Sequence, residues 1–153
     1  MKGSEMFRPV ALAILLVGVA MFGTAATAMA AQRMAVKVDI ANIRAKPDTQ
    51  SDTLWQVEKY YPLLILEEKD GWDRIKDFEG DTGWIHASLL DATPTVIVKV
   101  NNANVRTDAG TQYDIAFDAN KGTPFKVLEK KGGWLKVQHA DGDEGWIFGA
   151  LVW

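Results

Sequence analysis

Beyond residue 31 the apolar positions come in short bursts separated by charged turns. Leu63-Leu64-Ile65-Leu66 is a continuous apolar run, and Phe125-Lys126-Val127-Leu128 is its counterpart. Each leads to a charged turn ending in glycine, Lys69-Asp70-Gly71 and Lys131-Gly132-Gly133. The next segment alternates. Leu135 and Val137 oppose Trp134, Lys136 and Gln138, and Ile75 opposes Trp72, Arg74 and Lys76. A period of two places successive side chains on opposite faces of a strand, with Ile75, Leu135 and Val137 facing the core. Turns follow at Glu79-Gly80-Asp81 and Asp141-Gly142-Asp143, and then Gly83-Trp84-Ile85 and Gly145-Trp146-Ile147. No segment carries a helical period of useful length. Short strands with turn signals every 8 to 12 residues or so predict a small barrel or sandwich.

The two sets of elements are one unit written twice. At an offset of 62 without a gap, 22 of 57 aligned pairs are identical. Ala41-Asn42-Ile43-Arg44 matches Ala103-Asn104-Val105-Arg106, and the glycines and tryptophans recur in fixed order. Such a unit is just large enough to close its own core. Two domains are therefore expected, over 34–91 and 95–153. Asp91-Ala92-Thr93-Pro94 joins them, and proline stiffens that short link. The barrels are expected to sit close together.

Residues 1–30 read as an export signal. Lys2 and Arg8 precede an apolar run from Val10 to Phe22, and Ala28-Met29-Ala30 fits a cleavage rule with a cut before Ala31. The run is shorter than the roughly 20 residues that span a bilayer. An uncleaved anchor is the alternative. After cleavage no stable membrane span is expected. The net charge of −3 rules against an electrostatic nucleic-acid binder. Without cysteine there are no disulfides, thiolate metal sites or cysteine nucleophiles.

The ordered motifs resemble the bacterial SH3 family. Its pattern of Asn-[Val/Ile]-Arg, Gly-Trp and Gly-Trp-[Ile/Val] is filled by Asn42-Ile43-Arg44, Gly71-Trp72 and Gly83-Trp84-Ile85. Asn104-Val105-Arg106, Gly133-Trp134 and Gly145-Trp146-Ile147 fill it again. The resemblance covers nearly all of 34–153 and implies an all-β fold of two tandem SH3-like small β-barrels. It also implies a binding module, in a family often attached to cell-wall hydrolases. The expected partner is peptidoglycan or its peptides. A protein-interaction adaptor for an envelope enzyme or receptor is the alternative. The expected location is the periplasm, the cell wall or outside the cell. Unlike the eukaryotic pattern, His86 and Leu89 stand where a proline and a tyrosine help form a proline-peptide groove, and Phe148 and Leu151 do so in the second repeat.

The candidate ligand-binding residues are aromatic. Trp72 and Trp134 oppose the core positions of their strands, and Trp84 and Trp146 oppose Ile85 and Ile147. If the last two strands pair, the two tryptophans of each repeat come near one another, as a platform for a sugar face or an extended peptide. The other reading is that each indole lids its barrel. Tyr60 and Tyr61 precede Pro62, one expected in the core and one exposed. Tyr113 lies in the second of two acidic first loops, 45–53 and 107–115.

Catalysis is not expected. The serines of the mature chain are Ser51 and Ser88, and its histidines, His86 and His139, lie in different repeats. No nucleophile elbow or oxyanion motif accompanies the His86/Ser88 pair. Neither a metal nor another cofactor is expected.

Overall fold

The computed structural model describes residues 31–153, so the export signal expected at residues 1–30 lies outside the described residues. The described residues are nearly all β and form two antiparallel sheets. The first contains β1 (Gln32–Val36), β2 (Ile40–Arg44), β3 (Thr53–Glu58), β4 (Pro62–Lys69), β5 (Trp72–Lys76), β6 (Thr82–His86) and β7 (Leu90–Asp91). The second contains β8 (Thr95–Ile97), β9 (Asn102–Arg106), β10 (Ile115–Asn120), β11 (Pro124–Lys131), β12 (Trp134–Gln138) and β13 (Glu144–Phe148). Strand orders are β3-β2-β6-β5-β4-β1-β7 and β10-β9-β13-β12-β11-β8. The second unit reproduces the β1/β7 pairing through the Val98–Val152 bridge and the Ile97–Trp153 backbone bonds.

Inward residues of the alternating strands make each core. Ile43, Leu63, Ile75 and Ile85 meet in the first unit, and Val105, Phe125, Val137 and Ile147 in the second. The apolar runs are not uniformly buried. A bulge between Ile65 and Glu67, repeated between Val127 and Glu129, shifts the register. Leu66 and Leu128 lie at these bulges and are 41% and 40% exposed.

The turn before β4 and β11 needs a left-handed residue. Gly122 supplies it at φ +87°, whereas the first unit uses Tyr60 at φ +72°. A non-glycine residue there costs about 1 kcal/mol of backbone strain. Tyr60 N–H and Gly122 N–H make the same bond, to the carbonyls of Val36 and Val98, each at 2.8 Å.

Contacts join the units across the linker, among them Lys121 Nζ 6.0 Å from the Phe78 ring centroid. The Arg33 guanidinium lies 4.0 Å from the Trp153 ring centroid, and Lys121 Nζ lies 2.9 Å from Glu79 Oε1.

Asp73 departs from the pattern. It occupies the inward row of β5, where the second unit has Leu135, and is 8% exposed. Burial, and then the nearby Glu68, raises its carboxyl above the ordinary 3.8, while His86 pulls the other way. A carboxylate whose folded-state pKa is raised weakens the fold once it ionises, so this loss grows as pH rises from 3.8 through the folded-state value. Asp73→Asn is therefore expected to raise the first unit's thermal midpoint at neutral pH by about 4 to 8 °C, as a gain of about 1 kcal/mol does in a domain of this size. The gain should disappear below about pH 3, where unfolded carboxyls are protonated. Calorimetry across that range checks both the sign and the window.

Candidate functional site

A groove of about 550 Å³ opens on the second barrel. Trp134, Phe148, Leu151, Arg106, Thr111 and Gln112 are among the residues that line it. Trp134 starts β12 directly after Gly133 and pairs in register with Phe148 on β13. Their ring centroids are 5.5 Å apart at 49°. The first loop forms the opposite rim. Arg106 Nη1 donates to the Tyr113 carbonyl at 2.8 Å and pins that loop. The result is an aromatic wall facing polar loop groups, an arrangement suited to a sugar face or an extended peptide.

The four tryptophans are not equivalent. Alternation along β5 predicts an exposed platform at Trp72, but the residue is only 9% exposed. It does lie on the outward row of β5, yet His86 across the ladder stands edge-on to it, 5.2 Å between centroids at 79°. Little of its ring face is left open. Trp146 is 7% exposed. Lys131 Nζ lies 5.8 Å from its ring centroid and 3.6 Å from Asp108 Oδ1. Trp84 and Trp134 are half-buried.

The expected pairing of tryptophans within each repeat also changes. Trp72 faces His86 and Trp84 faces Arg74 in register; Trp134 faces Phe148 and Trp146 faces Lys136. The ladder offset makes each tryptophan pair diagonal rather than directly opposite. The direct aromatic partner of Trp134 is Phe148, which is not among the residues that the sequence singles out for binding. Alternation from Trp146 through Ile147 would have placed it on the same outward face.

The tyrosines lie elsewhere. Tyr61 packs against the first core, and its ring lies 6.3 Å from Phe78. With Trp55, Asp77, Glu79 and Lys121 it lines a cleft of about 410 Å³ between the units. Burial, followed by the negative charge of Asp77, holds its hydroxyl well above the ordinary phenol range. Tyr60 sits at the left-handed turn with Lys59 Nζ 5.4 Å from its ring centroid. Tyr113 is 38% exposed in the first loop. None of the three tyrosine side chains lines the Trp134 groove.

His86 Nδ1 lies 2.6 Å from Ser88 Oγ and accepts the Ser88 N–H at 3.3 Å. That contact caps the short 3-10 turn Ala87–Leu89. Among the described residues no group of three or more histidines and carboxylates is placed to hold a metal, and no helix is long and apolar enough to cross a membrane.

Comparison with known proteins agrees with this architecture. Residues 37–92 and 101–152 each match a model described as a bacterial SH3 domain. A Bacillus subtilis protein named as an N-acetylmuramoyl-L-alanine amidase, YrvJ, is 26% identical over 145 residues, which are 87% of this chain and 28% of that protein. A Staphylococcus epidermidis protein named as a cell wall amidase, LytH, is 35% identical over 63 residues, 40% of this chain and 22% of that protein. This chain thus spans only about a quarter of the length of these relatives. A solved NlpC/P60 family protein from Bacillus cereus aligns over 80% of this chain and 56% of its own, at 13% identity and a TM-score of 0.39. NlpC2 from Trichomonas vaginalis aligns over 81% and 48%, at 12% identity and a TM-score of 0.37. The paired motifs, the two repeated sheets and the two family matches identify the chain as a member of the bacterial SH3 domain family with two tandem copies.

Proposed function

We propose that this chain is an exported, non-enzymatic module that binds cell-wall peptidoglycan or its peptides through the groove of the second barrel. The observation that carries this reading is the Trp134–Phe148 wall opposite the polar first loop. An apolar ring face lies flat against sugar carbons or peptide side chains, while Gln112, Thr111 and Arg106 offer hydrogen bonds at the rim. The two relatives named as wall amidases support the setting, since the shared region is a minor part of each. Trp84, half-buried on the first barrel, is a secondary candidate, whereas the buried Trp72 and Trp146 do not line the groove.

The test is retention of the purified protein on isolated peptidoglycan, beside a Trp134→Ala/Phe148→Ala variant with an unchanged far-ultraviolet spectrum. Truncating two central aromatic anchors is expected to weaken binding by about thirtyfold or more. Equal retention of both proteins would remove the groove from this role. No retention of either would favour the adaptor reading, to be followed by a search for a protein partner.

A further inference from the structure

The outward faces of the two barrels have the same strand pattern and differ in how far their basic residues are paired with carboxylates. On the second barrel two of the outward basic residues meet carboxylates, and Arg106 and Lys126 share the same rows. Lys131 meets Asp108 at 3.6 Å, Lys136 meets Glu144 at 3.8 Å, and Gln138 donates to Glu144 at 2.9 Å. The equivalents of Asp108, Gln138 and Glu144 on the first barrel are Lys46, Lys76 and Thr82. The first barrel's face therefore gathers Arg44, Lys46, Lys69, Arg74 and Lys76. Along the outward rows of β2, β4, β5 and β6 the carboxylate is Glu67, 4.0 Å from Arg74, and the loop that carries Lys46 also carries Asp48 and Asp52.

This local excess does not follow from composition. Residues 31–91 hold 8 basic and 12 acidic side chains, so the barrel is acidic overall while this face is basic. At its centre is Trp84, half-buried and in register with both Arg74 and Arg44. Lys131 and Asp108 meet close to Trp146, and Lys69 and Lys46 hold the equivalent chain positions on the first barrel, where two like charges form no such ion pair.

We propose that this face binds a carboxylate-bearing saccharide chain, in addition to the groove on the second barrel. A sugar face stacks on Trp84, and the carboxylates lie against Arg44, Arg74, Lys46 and Lys69. The guanidinium fork matches a carboxylate geometrically, and Arg44 uses one N–H on the Ser51 carbonyl, which orients the rest. On the corresponding face of the second barrel Lys131 and Lys136 are engaged by Asp108 and Glu144.

The experiment titrates the purified protein with an oligogalacturonate by calorimetry, with an uncharged chito-oligosaccharide and poly-glutamate as separate arms. Oligogalacturonate should bind at one site per chain, more tightly than either control, and more weakly as salt rises. Lys46→Asp installs the acid of the second barrel and should weaken it roughly tenfold, because reversing an exposed charge changes attraction into repulsion. Asp108→Lys/Glu144→Thr should create a second site. Trp134→Ala/Phe148→Ala should leave this binding unchanged, which separates it from the peptidoglycan reading. Equal binding of poly-glutamate, or an unaffected and folded Lys46→Asp variant, overturns the proposal.

Discussion

Gly145→Ala is expected to unfold the second barrel at temperatures where the first remains native. The motif glycine is needed for space, since β13 passes close to β9. A Cβ on Gly145 would fall 2.6 Å from Val105 Cγ1 and 2.9 Å from the Arg106 carbonyl oxygen. The first of these neighbours is a fully buried side chain and the second is backbone, so neither yields easily. Overpacking of this kind costs about 3 kcal/mol, or a fall in midpoint of roughly 12 to 24 °C for a domain of this size. Gly142→Ala is the companion measurement. Its φ is +101°, but a methyl group added there meets no atom within 4 Å, so only backbone strain of about 1 kcal/mol is expected. Calorimetry should show two transitions, the second displaced far more by Gly145→Ala than by Gly142→Ala. Equal displacements would refute the close-approach explanation.

Phe125→Ala should cost the same barrel about 4 kcal/mol, through lost transfer energy plus the cavity left behind. Phe125 is fully buried and heads the second core by size. It lies 6.3 Å from the Phe117 ring and 5.9 Å from His139, centroid to centroid. The corresponding residue of the first barrel is Leu63. Phe125→Leu should therefore cost about 1 kcal/mol, as a partly volume-conserving exchange does. Urea denaturation of the two variants measures the ordering. A Leu variant as damaging as the Ala variant would mean that ring contacts, not filled volume, hold this core.

Much of the fold is legible in the sequence because glycine and alternation are local signals. The 62-residue offset, the period of two around Val137 and Ile75, and the Gly-Trp-Ile motifs lead to two repeated β-units without knowledge of any contact. The candidate site is less legible. Facing outward along a strand does not establish exposure, because the neighbours that cover a ring come from other strands. Trp72 and Trp134 are aligned residues on aligned strands, but one faces His86 and the other Phe148. Leu66 is equally opaque, since its apolar run continues through a bulge that alternation does not announce.

Sequence by itself determined the two-fold repeat, the strand periodicity, the inward sets of each core and the motifs of the bacterial SH3 family. Those properties depend on residue order within one unit. Tertiary structure alone decided which indoles stay open, that Phe148 partners Trp134, and that Lys131 reaches Asp108 beside Trp146. These outcomes depend on cross-strand register and loop closure, which bring together side chains far apart in the chain.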